Sequence, residues 1–534
     1  MKIKTSIWVV SIFITTITGC GGGSDSADMK SDEQTEQPQS SPALISAIDI
    51  VGSWQAGQVL EAAITCKNCV TSMHEYSWSI NGEQVSSANK YILAQNDVNK
   101  EIRISVSVNN EDNLPADGYT IIAPIYTEHV TEISANGNAF AALKSDKSVT
   151  SWGFFRPSNN NVQFPIKDVK KLLSAGYSFF AFKEDNSVVI WGDEDPQISV
   201  SSEELKDTVT ITATASSYAA LKEDGTVITW GNGSGANSDG IELENISKVF
   251  ATSDTFAALK KDGTVVTWGS QAYIDVIGTL DLTNIVNIYT TGSAFAALKS
   301  DGSVVTWGSL TFGGDSSSVE LTNVKDIYAN GYAFVAIKTD GTLVAWGSQE
   351  YGGDISSLDL AGTIKVFSAQ YGTAFAALKP DGSVVTWGNN EDGGDSSAVD
   401  LKDVSTIIAN QFSFAALTDD SEIISWGNNQ YGGDTSHLDV TDIKNIYAGP
   451  STFLAKKSDN SVLTWGNNKY GGDSSTIELS NVKSTYANTY SLAALKNDYS
   501  VVSWGSSKYG GDSSAVSEYL KPKVEIIVKE TDLN

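Results

Sequence analysis

The sequence predicts an all-β chain: a β-propeller of about ten short antiparallel blades preceded by a small β-sandwich. Three observations predict it, namely a Trp-Gly pair that recurs ten times, an Asp-turn hairpin in front of each pair, and an alternating apolar segment ahead of the repeats. The tryptophans are Trp152, Trp191, Trp230, Trp268, Trp307, Trp346, Trp387, Trp426, Trp465 and Trp504, and the steps between them are 39, 39, 38, 39, 39, 41, 39, 39 and 39 residues. So regular a period marks stacked copies of one unit, none of which buries its apolar face alone. A chain of 534 residues is too long for one compact core, in keeping with an array.

In chain order, Lys2 and Lys4 precede an apolar run from Ile7 to Ile17, too short to span a bilayer permanently. Ile17-Thr18-Gly19-Cys20 follows and resembles the bacterial lipobox. That resemblance implies a signal peptide over 1–19, cleavage ahead of Cys20 and lipidation of its thiol, a firm anchor with several acyl chains. Gly21, where Asp often signals inner-membrane retention, implies the outer membrane. An ordinary cleaved signal beside a chance cysteine is the alternative. Residues 20–43 are Gly, Ser, Gln and acid with almost no apolar content, so a flexible acidic linker is expected.

Residues 44–124 carry no repeat but alternate as strands do. Ile102, Ile104, Val106 and Val108 share one face of an extended segment, with Arg103, Ser105 and Ser107 on the other. Tyr76-Ser77-Trp78-Ser79-Ile80-Asn81-Gly82, followed by Tyr91, Leu93, Asp97 and Ile102, resembles the Ig-like modules of bacterial surface proteins and implies a spacer. Cys66 and Cys69 are expected to form a local disulfide in an exported protein. Redox chemistry and free thiols are the alternatives, and there is no strand-to-helix context for a thioredoxin-like site.

One repeat reads Phe295-Ala296-Ala297-Leu298-Lys299, Ser300-Asp301-Gly302, Ser303-Val304-Val305-Thr306-Trp307-Gly308: two β-rich runs flanking an Asp-Gly turn. The Asp recurs in all ten copies. Lys147, Asn186, Ser421, Asn460 and Tyr499 replace the Gly, and the turns at Lys147, Ser421 and Tyr499 are suspect because those residues disfavour a left-handed backbone. A run such as Val324-Lys325-Asp326-Ile327-Tyr328-Ala329 precedes each hairpin and completes a small sheet. Helical repeats are excluded by the Val, Thr, Trp and Gly content and by the lack of a helical stripe; a β-helix coil takes fewer residues.

Residues 329 to 347, through Ala333-Phe334-Val335-Ala336-Ile337-Lys338-Thr339-Asp340-Gly341 to Trp346-Gly347, resemble the repeat of the regulator of chromosome condensation family. Trp426-Gly427-Asn428-Asn429-Gln430-Tyr431-Gly432-Gly433 resembles that repeat's Trp-Gly-x-Asn-x-x-Gly segment. The resemblance covers about 130 to 515. It departs in having Phe334 and its equivalents where the family often has His, and Gly-Asp-Ser in place of Gln-Leu-Gly. The short repeat looks closer to the bacterial branch that includes a secreted proteinaceous β-lactamase inhibitor. Family propellers usually have seven blades. Seven plus three would strand three blades with open edges, so a single ring of ten, or an incompletely closed one, is expected over 130–528. The tail Lys523-Val524-Glu525-Ile526-Ile527-Val528 stands where an eleventh copy would place its first strand, against the first repeat.

Function is the less legible part. A net charge of −29 disfavours nucleic acid and anionic lipid headgroups. His74, His129 and His437 are far apart and the repeats hold no cysteine, so neither a Ser-His-Asp set nor a histidine metal site is supported. No enzyme activity, metal or cofactor is expected. The spacing of a calcium-binding parallel β-helix is missing too.

The loops after Trp-Gly are the candidate binding face. Repeats five to ten place Phe312, Tyr351, Asp392, Tyr431, Tyr470 and Tyr509 before a Gly-Gly-Asp, so five of the six set an aromatic beside an acid. The alternative is that each ring packs on its own blade and each Asp ties its own loop. Phe154-Phe155-Arg156 and Tyr273-Ile274-Asp275 mark divergent early loops. A lipid-anchored module on the outer membrane that binds a protein is therefore the expectation, with a surface glycan as the other partner class and a structural envelope role behind both.

Overall fold

Alternating side chains need one shielded face, and the chain supplies it first by folding two sheets over each other. The computed structural model describes residues 41–533 except 53–58, 95–96, 99, 112–113, 156–163, 193–199 and 272–278. The signal peptide expected over 1–19, Cys20 and nearly all of the linker expected over 20–43 lie outside the described residues.

Strands β1 (Leu44–Gly52), β2 (Val59–Lys67), β3 (Glu75–Ile80), β4 (Glu83–Ser86), β5 (Lys90–Ile92), β6 (Ile102–Asn109) and β7 (Pro115–Glu128) build the sandwich. One sheet has the order β1-β2-β5; the other runs from β7 through β6 and β3 to β4, with a final strand, Lys523–Leu533, added outside β7. Ile102, Ile104, Val106 and Val108 all point into the core with Ile45, Leu60 and Trp78. Trp78 stacks on Tyr91 and donates from Nε1 to the carbonyl of Ala88, and Tyr91 donates to Asp97 Oδ2 at 2.5 Å. Cys66 and Cys69 are bonded as a disulfide at the end of β2.

The repeats form ten three-stranded antiparallel meanders. They span 130–153, 169–192, 208–231, 246–269, 285–308, 324–347, 365–388, 404–427, 443–466 and 482–505. Each second strand, small-Phe-Ala-Ala-Leu in type, lies between its two partners and is almost wholly buried, as in Ala294–Lys299. A bulge interrupts the first strand in nine blades; the seventh, whose first strand is only Lys365–Phe367, lacks it.

The seams between blades are the apolar core. At the seam of blades five and six, Ala294, Ala296 and Leu298 meet Val324, Ile327, Phe334 and Trp346. The tryptophan stacks on the phenylalanine opposite it, with Phe334 and Trp346 5.2 Å apart. Its Nε1 donates to the carbonyl of Gly313 in the preceding blade at 3.1 Å, and among the described residues seven tryptophans make this bond.

The ring closes. Val130, Ile133, Phe140 and Trp152 of the first blade pack with Ala493 and Leu495 of the tenth, and Trp152 donates to Gly510. Between the first two strands of each blade, turn residues also link by backbone bonds: Ser253 N–H to Gly292, Gly292 to Gly331, Gly331 to Gly372, and finally Thr489 to Gly137 across the closure.

Two expectations need correction. The tail does not extend the ring: Lys523–Leu533 pairs antiparallel with β7, from Lys523 opposite Glu128 to Leu533 opposite Gly118. Tyr119 donates to Glu530, Lys523 pairs with Glu128, and Lys529 pairs with Glu101. The suspect turns also form. Lys147, Ser421 and Tyr499 adopt φ of 62°, 64° and 63°, like the glycines they replace. Such a backbone costs roughly 1–2 kcal/mol without glycine. At Tyr499 the compensation is visible, because the ring packs against Tyr126 and His129 where the ring of blades meets the sandwich. In nine turns the Asp accepts the backbone N–H two residues on, as Asp301 does from Ser303.

Trp346→Ala removes a ring that is 2% exposed together with its bond to the preceding blade, so it should cost on the order of 3–5 kcal/mol. Hydrogen exchange should accelerate in blades five and six together. Acceleration confined to blade six would show that the seam does not couple them.

Candidate functional site

Each blade exposes two kinds of ends. The Asp turns joining second and third strands lie on the side of the sandwich, as Tyr499 shows. The loops after Trp-Gly lie at the other end of strands of five or six residues, about 20 Å away. The two faces are thus separate surfaces.

Two glycines shape the loop after each of blades five to ten. Gly313 has φ 101°, and a Cβ there would stand 2.6 Å from Phe334 of the next blade; one on Gly314 would stand 2.5 Å from the carbonyl oxygen of Gly308. The following acid turns back: Asp315, Asp354, Asp395, Asp434, Asp473 and Asp512 each accept the N–H two residues ahead. Those bonds hold their carboxyls below the usual aspartate range. The acids tie their own loops, although they remain at the surface.

Phe312, Tyr351, Tyr431, Tyr470 and Tyr509 are half-buried, and the structure places each beside a second set of residues, those opening the second strands. Phe312 meets Tyr332 of the next blade at 5.0 Å, and Tyr332 meets Tyr351 at 4.6 Å. Phe412 meets Tyr431 at 4.2 Å; Tyr490 bridges Tyr470 and Tyr509 at 5.1 and 4.3 Å; Phe154 extends the group from Tyr509 at 5.8 Å. Phe312, Tyr470 and Tyr509 thus reach a ring of a neighbouring blade, whereas Tyr431 packs on Phe412 of its own blade and Tyr351 on Tyr332 of its own.

Buried asparagines fix this arc. The Asn330, Asn410 and Asn488 amides each donate to the carbonyl of Tyr351, Tyr431 and Tyr509 at 2.7 Å, while their oxygens accept turn N–H groups. Where the seventh repeat has Asp392 in the aromatic position, Thr373 donates to its carboxylate at 2.8 Å. Burial pushes the Asp392 carboxyl up. The neighbouring Glu350 raises the Tyr351 phenol. Exposed charges change sign along the arc, from Glu350 and Glu391 to Lys469 and Lys508, and Lys508 lies over Phe154 and Tyr509.

Tyr332, Phe412 and Tyr490 were not singled out from sequence, because that position alternates: Ser293, Ser451 and Thr373 fill it in blades five, nine and seven. One sequence signal did point here. The single 41-residue step places its two extra residues in the turn before Phe375, where Tyr371 stands 55% exposed. Of the divergent early loops, Tyr273-Ile274-Asp275 and Arg156 lie outside the described residues.

No family model matches the chain, and no curated protein matches it. Similar solved structures include the CRINKLY WD40 ectodomain of the Arabidopsis thaliana receptor kinase ACR4, 17% identical over 51% of this chain and 98% of that one, with a TM-score of 0.28. Yeast RCC1 (Prp20), solved with Kap60, is 16% identical over 53% and 79%, with a TM-score of 0.30. The computationally designed Ika8 protein is 12% identical over 64% and 97%, with a TM-score of 0.29.

Tyr490→Ser removes two ring pairs and should cost about 1–3 kcal/mol, at about 0.5–1.5 for each pair. Tyr371→Ser should stay within about 0.5 kcal/mol. Denaturant unfolding separates the two, and equal values would mean that the rings do not support one another.

Proposed function

We propose that the chain is a lipid-anchored outer-membrane protein, a short-repeat relative of the regulator of chromosome condensation family, whose loop face binds a protein. The observation that carries this is the arc of paired aromatics pinned by buried asparagines on the face away from the sandwich. Rigid amphipathic rings offer contact area without much ordering cost on binding. Flanking charges of opposite sign add electrostatic complementarity, which selects a partner and its orientation. An anchor at Cys20 with the linker and the Ig-like sandwich behind it would present this face outward. No catalytic role is assigned to it.

Two measurements test the parts separately. Cys20→Ser should move the protein from the detergent to the aqueous phase on phase separation; a parent protein already aqueous overturns the anchor. For the face, exposed residues are the proper targets because the arc tyrosines are half-buried. Glu350→Lys with Glu391→Lys, and Lys469→Glu with Lys508→Glu, should each weaken a cross-linked envelope protein by about tenfold and leave melting unchanged. Unchanged capture by both variants refutes the protein-binding reading. Tyr371, the paired rings and the loop amides also suit a sugar, so retained binding on a glycan array by both charge variants would favour the surface-glycan reading.

A further inference from the structure

The repeats serve as each other's controls, and one seam breaks the rule. The fifth position of the second strand is Leu143, Phe182, Leu221, Leu259, Leu298, Ile337, Leu378, Leu417 and Leu495 in nine blades, but Lys456 in the ninth. Opposite it across the seam, the fourth position of the first strand is aliphatic in nine blades, as Ile288, Ile327 and Ile407 are, but Thr485 in the tenth. Leu298 with Ile327, and Leu378 with Ile407, sit in the apolar cores of their seams. The core between blades nine and ten contains neither residue of its pair.

At this seam there is a cavity of about 230 Å³. Its walls combine Leu454, Val462 and Val482 with Lys456, Ser484 and Thr485, and Tyr447 and Lys483 also line it. Lys456 donates to the carbonyl of Val482 at 2.7 Å, which leaves two of its ammonium protons for another acceptor. Lys483 lies over the Tyr499 ring. Among the described residues neither lysine is paired with a carboxylate, whereas the adjacent Lys457 is paired with Asp439.

We propose that the cavity binds a small organic anion, a carboxylate on a compact apolar body. Lys456 and the hydroxyls of Ser484 and Thr485 receive the carboxylate, and Leu454 and Val462 hold the apolar part. The volume lies below the roughly 300–1,000 Å³ of drug-sized sites, so the ligand is small. This site is distinct from the aromatic arc, and its test does not depend on that reading.

Benzoate is the probe, and benzyl alcohol its neutral counterpart, both titrated into the full chain with saturation-transfer NMR. Benzoate should bind, and benzyl alcohol about tenfold more weakly or worse. Lys456→Leu with Thr485→Ile restores the pattern of the other seams; it should weaken benzoate at least about tenfold and melt no earlier than the parent. No binding by the parent, equal binding of the alcohol, or undiminished binding by the restored variant overturns the proposal. If the double variant fails to fold, Lys456→Gln gives the same decision on its own.

Discussion

The structure depends on one contact that recurs around the ring: an indole that fills the seam and, in seven described cases, donates its single N–H to a glycine carbonyl of the blade before. A three-stranded sheet of short strands cannot shield both its faces, so no blade is stable alone. The indole solves two problems together. Its area covers the apolar face of the neighbour, and its bond satisfies a carbonyl in a loop that the close approach of Phe334 and its equivalents would otherwise desolvate. The Gly-Gly of the loops after blades five to ten follows from this, because a side chain at either glycine would strike the next blade or the loop's own strand. The loop face is thus shaped by the demands of the seam, and its aromatic residues stand on a frame that packing has already fixed.

What the sequence made legible was whatever repeats. Ten tryptophans at one spacing led to ten blades, and the Asp turns and the alternation of Ile102 to Val108 gave hairpins and a sandwich face, all found in place. Readings that rested on local chemistry alone fared worse. Tyr499 looked wrong for its turn because the gain comes from Tyr126 and His129, some 370 residues earlier in the chain. Residues 523–528 had the alternation of a strand, but alternation does not say which sheet accepts it, and the edge offered by β7 prevailed over the first blade. Of the candidate site, the loop aromatics were legible as a series. Their partners Tyr332, Phe412 and Tyr490 were not, because a position that is large in one blade and small in the next does not register as a repeat. Conversely, Lys456 and Thr485 become visible only when the seams are compared as contacts.

The division of labour between the faces follows from strand length. Strands of five or six residues keep loops and turns apart, so substitutions on one side need not disturb the other. The turn side meets the sandwich through Tyr126, His129 and Tyr499 and through the Lys144–Glu128–Lys523 ion pairs. The loop side varies blade by blade, from Phe312 to Asp392 to Tyr509, over a constant Gly-Gly-Asp frame. Variation on a constant frame is how a repeat array acquires an individual binding surface.

The final strand also governs when the sandwich can be finished. It contributes an edge of the five-stranded sheet, yet it is synthesised only after all ten blades that follow β7. At roughly 5–20 residues per second, tens of seconds separate β7 from its partner. Until then β7 presents an open edge with Tyr119, Ile121 and Ile125 along it, the kind of template that recruits foreign strands. Completion of the sandwich therefore certifies that the whole ring has been made, and a chain broken off within the blades would carry its defect in the first domain, far from the break.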